Sequence, residues 1–177
     1  EKAYCEIASL DNWKTFNAYT KTFPKVAAKL TADVSGITAE DVVENYRGAF
    51  DGGSHKLTVN ISSQGNYISL FRVTLGATFS DLTVTGTIVN NSTTEGKYAG
   101  GFIGNVQSGD ATRLTRCVSN VTISTKSSGD NTNGGFIGVA EGPVIVNDCA
   151  FIGKMVADNG ANSCAGFIGW AGGKAQI

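Results

Sequence analysis

The chain repeats itself. Gly100-Gly101-Phe102-Ile103-Gly104 returns as Gly134-Gly135-Phe136-Ile137-Gly138, and again as Ala165-Gly166-Phe167-Ile168-Gly169. Ser69-Leu70-Phe71-Arg72 reads as a degenerate first copy, so Phe71, Phe102, Phe136 and Phe167 mark intervals of 31, 34 and 31 residues. A fixed period of this kind means stacked supersecondary units, none of which can bury its apolar face alone.

A second set of columns shares the phase. Leu82, Cys117 and Cys149 fall in register, followed four positions later by Gly86, Val121 and Gly153, and two further on by Ile88, Ile123 and Met155. The segments 82–89, 117–124 and 149–156 are rich in Val, Ile and Thr and read as strands. Between them and the next Gly-Phe-Ile-Gly lie stretches full of Asn, Ser, Thr, Gly and Asp, namely 90–98, 126–133 and 158–163, which read as loops. Glycine and β-branched residues stand where a helical repeat would need helix formers, and a propeller blade needs about 40 residues. The period fits one coil of a β-solenoid, in which each strand pairs with its counterpart about 4.8 Å away.

The expected fold is therefore a right-handed parallel β-solenoid of about four coils over residues 46–177, the hand following the general preference of parallel crossovers. The four phenylalanines should form an internal ladder of rings, and their glycines should serve tight corners or close backbone approaches. Asp81, Arg116 and Asp148 should share one outward column in which charge alternates. Residues 1–45 lack the repeat. Ser9 offers an N-cap to a short helix carrying Leu10, Trp13 and Phe16 to about Thr20, before Pro24, and 28–34 reads as a strand. This α/β segment is the natural cap for an open solenoid end. Nothing comparable closes the other end, so the native polypeptide is expected to continue there, or that edge to pair end to end with another molecule.

Composition narrows the function. A net charge near −1 gives no electrostatic footprint for nucleic acid, and no apolar run reaches the roughly 20 residues of a membrane-spanning helix. The 4 cysteines lack CxxC spacing and His55 is the sole histidine, which argues against a zinc site. No metal or cofactor is expected.

The Gly-Phe-Ile-Gly repeats resemble the GLUG-motif family of bacterial surface proteins, with Phe102, Phe136 and Phe167 where that family usually has Leu. Upstream, Tyr46-Arg47-Gly48-Ala49-Phe50-Asp51-Gly52-Gly53-Ser54-His55 is similar to the Tyr-x-Gly-x-Phe-Asp-Gly-x-Gly-His segment that often introduces such repeats, except at Ser54. The resemblance implies an exported, cell-surface β-solenoid within a longer adhesin-like protein, and it carries over no catalytic residue.

Several residues invite a chemical reading. Asp51 and His55 could form an acid/base pair, but Asp51-Gly52-Gly53 also reads as a simple turn. Asp81, Arg116 and Asp148 could line a polysaccharide-cleaving face, or merely alternate charge on a solvated column. Residues 128–134 (Ser-Gly-Asp-Asn-Thr-Asn-Gly) have oxygen ligands at Ca²⁺-like density without the bidentate Glu of an EF-hand, and an Asx-rich turn accounts for them. Cys117 and Cys149 share a column where a disulfide is geometrically feasible, and buried reduced thiols fit equally well.

The reading that absorbs most of these features is a non-catalytic binding module for a host protein or glycan. Its contact surface would be the row of variable segments, carrying Asn91, Thr94, Lys97, Tyr98, Lys126, Asp130, Asn131, Asn133, Asp158, Asn159 and Asn162, with Tyr98 as the exposed aromatic. The alternatives are a polysaccharide lyase or hydrolase, and a structural spacer.

Overall fold

The computed structural model describes residues 4–127, 129–157, 161–172 and 175. A strand β1 (Cys5–Ile7) and a helix α1 (Leu10–Thr22) precede a short opening winding of β2 (Ala28–Leu30), β3 (Val34–Thr38) and β4 (Val43–Tyr46). About four turns of solenoid follow. The first holds β5 (Ala49–Asp51), β6 (Lys56–Ser63) and β7 (Phe71–Thr74); the next β8 (Thr78–Ser80), β9 (Thr83–Asn90), β10 (Tyr98–Gly100) and β11 (Ile103–Val106). Then come β12 (Thr112–Thr115), β13 (Val118–Thr125), β14 (Gly129–Gly134) and β15 (Ile137–Ala140). The last described turn holds β16 (Val144–Asn147), β17 (Ala150–Phe151), β18 (Lys154–Ala157), β19 (Ala161–Ala165) and β20 (Ile168–Ala171).

Every pairing between named strands is parallel and joins one winding to the next, giving the sheets β1-β2-β5-β8-β12-β16, β3-β6-β9-β13-β17, β4-β7-β11-β15-β20 and β10-β14-β19, with β18 also on β13. Columns anticipated from the repeat are those observed: Gly86 pairs with Val121, Ile88 with Ile123, and Ile123 with Met155. The parallel pairing runs back through Ala28 to Cys5, so the strands of the segment expected to cap the solenoid continue its sheets.

The helix closes that end. Ser9 Oγ accepts from the Asn12 N–H, a donor the first helical turn leaves open, while Asn12 Oδ1 reaches back to accept from the Ala8 N–H just before the cap. Trp13 and Phe16 drop into the lumen, where Trp13 Nε1 donates to the Asp41 carbonyl at 2.8 Å and both rings pack on Phe50. Phe71 then meets Phe79 at 4.7 Å, so the aromatic cluster joins plug to barrel.

One expectation about the ladder needs correction. Phe71 pairs with Ile103 and Ile103 with Ile137, whereas Phe102 has Leu70 in its column. The ring ladder is therefore Phe102–Phe136–Phe167, with centroids at 4.9 and 5.3 Å, and Phe71 belongs to the neighbouring Val43–Ile103–Ile137–Ile168 column. Motif alignment explains it, because Ser-Leu-Phe-Arg matches Gly-Phe-Ile-Gly position for position, with Leu70 at the ring site. Phe102 and Phe136 are fully buried, while Phe167 in the last described turn is 41% exposed.

The motif glycines act by close approach. A Cβ at Gly100 or Gly134 would run into the carbonyl oxygen of Ile103 or Ile137 three residues on, so only hydrogen fits inside the corner. Left-handed backbone falls elsewhere, on Asp81, Arg116 and Asp148, with φ of 52°, 52° and 53°. These three stand at the corner leaving the β8-β12-β16 sheet, in one column as expected.

Candidate binding surface

The variable segments differ from the loops anticipated. Each runs into a strand: Tyr98–Gly100, Gly129–Gly134 and Ala161–Ala165 pair as the fourth sheet, with Tyr98 opposite Thr132 and Thr132 opposite Ser163. Asn, Asp and Gly are poor strand formers, yet pairing across windings satisfies their backbone groups, and that requirement overrides side-chain preference. The Asx-rich stretch suggested as a Ca²⁺ loop is mostly one of these strands.

This sheet lies on the outer face of the β4-β7-β11-β15-β20 sheet, displaced by one winding. A Cβ at Gly104 would strike Tyr67, one at Gly138 would meet the Ala99 carbonyl, and one at Gly169 would meet Thr132 and Asn133. The last glycine of each motif is thus the seat for the preceding winding's outer strand. The arrangement makes one wall of the solenoid two layers thick.

The expected contact residues divide on that wall. Asn91, Thr94 and Lys97 border a depression of about 310 Å³ with Gln64, Ser92 and Thr93. Within it, the Ser92 and Thr94 hydroxyls share a hydrogen bond of 2.8 Å, and Asn91 Nδ2 donates to Ser62 Oγ in the preceding winding. Lys126 is exposed on the same wall. Asp130 and Asn131 lie in β14 and Asn162 in β19, while Asp158 and Asn159 fall outside the described residues. Asn133 departs from the expectation: it is 1% exposed, and its Nδ2 reaches Cys164 Sγ at 3.7 Å, so it belongs to the space between layers.

Tyr98 also differs. It is half-buried, stacked on Tyr67 at 5.7 Å and 24° between planes. Tyr67 itself has a φ of 56°, so its ring is set by a left-handed backbone that bulky residues rarely adopt. Together with Thr132, Val139, Glu141 and Trp170, the pair lines a groove of about 250 Å³ where the two layers meet. Glu141 Oε2 accepts from Asn105 Nδ2 at 3.0 Å, which orients the carboxylate, while Asn105 Oδ1 is buried without a partner. Partial burial chiefly, then the Glu141 carboxylate and the Tyr98 phenol, hold the Tyr67 hydroxyl above its ordinary pKa. Trp170 is 49% exposed. Neither Tyr67 nor Trp170 was singled out from sequence.

The other candidates resolve into structural roles. Asp51 Oδ1 caps the turn by accepting from the Gly53 N–H at 2.8 Å, and its other oxygen faces Lys29. His55 instead faces Asp33 across 3.4 Å, so the structure does not bring Asp51 and His55 together as a pair. Asp81 holds Arg116 in a two-point ion pair of 2.6 and 2.7 Å. The hydrogen bonds from Arg116 keep the Asp81 carboxyl below the usual range, leaving it no proton to donate near neutrality. Asp148 continues the field on Arg116 from the next winding. Cys117 and Cys149 are free thiols. The Cys117 N–H donates to Cys149 Sγ at 3.3 Å, and burial pushes the Cys117 thiol up to about 12.

Among the described residues no group of three or more His, Cys, Asp or Glu side chains converges on a point where a metal ion could sit. No described helix is long and apolar enough to cross a membrane. No family model, curated protein or solved structure matches the chain.

Proposed function

We propose that this chain is a non-catalytic binding module displayed at a bacterial cell surface, which uses the two-layered wall of its solenoid to engage a host protein or glycan. The observation that carries the reading is the division of labour between faces. The corners and the four-winding columns of the inner sheets repeat turn after turn, whereas the outer layer of the two-layered wall changes in length and side chain from winding to winding and borders two of the surface depressions. Variation borne by a rigid scaffold is how binding surfaces are built. The repeat motifs and their likeness to bacterial surface solenoids support the cellular setting.

The enzymatic alternative has less to draw on. Its best acid, Asp81, is engaged at both oxygens by Arg116, and general acid work needs a carboxyl that keeps its proton. The test is to present the purified chain to glycan and host-protein arrays, alongside a panel of polysaccharides assayed for released oligosaccharide. The expected result is selective retention with no cleavage. Cleavage, or blank arrays, overturns the proposal.

A further inference from the structure

We infer that the groove between the layers is a glycan-binding subsite, built to take a neutral pyranose against the Tyr98 ring. This deepens the function proposed above and rests on it. Tyr67 covers one face of Tyr98, and the next residue of that column, Thr132, is too small to continue the stack. The ring face on the Thr132 side therefore borders the groove, and Val139 and Trp170 line the same space. Flat aromatic walls are matched by the apolar C–H face of a six-membered sugar, and stacking needs no charge on the ligand.

A pyranose also carries a rim of hydroxyls, and the groove answers it. Glu141 presents a carboxylate whose Oε2 is fixed by Asn105, so its lone pairs point in a set direction before any ligand arrives. A carboxylate accepts from sugar hydroxyls in charge-assisted hydrogen bonds. The Tyr67 and Tyr98 hydroxyls add groups that can donate or accept. The same Glu141 would repel a uronate or sialylated chain, so the groove selects for neutral sugars. A groove of a few hundred Å³ that sets aromatic rings beside oriented polar groups has the elements of a small-ligand site. Holding Tyr67 at φ 56° is consistent with a side chain positioned for recognition.

The experiment uses the full 177-residue chain. Cellohexaose and maltohexaose are titrated by calorimetry and by tryptophan fluorescence, with oligogalacturonate as the charged control. Trp13 is fully buried, so a saccharide-dependent change in emission reports Trp170. At least one neutral hexasaccharide is expected to bind and perturb that emission, and oligogalacturonate is expected not to. Trp170→Ala, Tyr98→Leu and Glu141→Ala should each weaken binding about 5-fold or more, with circular dichroism unchanged. Trp170 is exposed enough that its truncation leaves the fold intact, which keeps the test valid if Tyr98→Leu fails to fold. Neutral-sugar binding that survives Trp170→Ala and Glu141→Ala overturns the inference. So does failure of both hexasaccharides while the arrays give a hit that these variants retain, an outcome that spares the broader proposal. Blank arrays remove both.

Discussion

Truncating the centre of the ring ladder gives the most demanding test of the architecture. Phe136 is fully buried, with Phe102 at 4.9 Å on one side and Phe167 at 5.3 Å on the other. Phe136→Ala removes the transfer free energy of a buried ring and leaves a cavity, together about 3–5 kcal/mol. Both ring contacts vanish at once, which places the cost near the upper end of that range. Phe136→Leu keeps most of the volume, and Leu70 already occupies the column one winding before Phe102. That variant should lose mainly the ring contacts, about 1–3 kcal/mol. Phe167→Ala should cost about half as much as Phe136→Ala, because 41% of that residue is exposed. Urea unfolding followed by far-ultraviolet circular dichroism measures all three. The reasoning fails if Phe136→Ala costs less than about 2 kcal/mol, or no more than Phe167→Ala.

Other expectations follow from single features. Gly134→Ala would drive a methyl group into the Ile137 carbonyl and should cost more than about 3 kcal/mol, beyond ordinary point substitutions, read by the same unfolding assay. At the Arg116 corner, with φ of 52°, Arg116→Gly should change stability by less than about 1 kcal/mol. Arg116→Val should cost about 2 kcal/mol, since a β-branched residue resists that backbone. Cys117, with its thiol held near 12, should resist Ellman's reagent in the native chain at pH 8 and react only on unfolding. The same shift sets a pH dependence. Above the ordinary thiol value near 9 the unfolded chain loses a proton that the folded chain keeps. These two groups should therefore add no pH dependence below about pH 8, and stability should fall as pH rises from about 9 toward 12, with the raised Tyr46 phenol acting in the same direction above its own ordinary value near 10, measurable as a falling melting temperature.

The sequence made the windings legible wherever a column repeats its chemistry. The period alone assigns Leu82, Cys117 and Cys149, the Ile88–Ile123–Met155 row and the alternating charges at the corner to their observed columns, since parallel in-register stacking puts equal phases above one another. What escaped notice depended on contacts between phases. The spacing alone puts Phe71 in the ring ladder, because it is a phenylalanine near the right interval, although its motif position is that of the isoleucines. The outer sheet reads as loop in the sequence, because Asn-, Asp- and Gly-rich strands form only through pairing with neighbouring windings. Tyr67 and Tyr98 lie 31 residues apart, as Val139 and Trp170 do, so the groove did leave a periodic signal. That signal is weak because it rests on two pairs in different phases, one of them in an irregular segment.

The seating of each outer strand on the following winding's glycine makes the wall behave like lapped roof tiles. No tile can lie flat until the course beneath its overhang has been laid, so each outer strand should order only once the winding after it has formed. Force applied at the far end meets the overlaps in shear, which distributes the load across several windings.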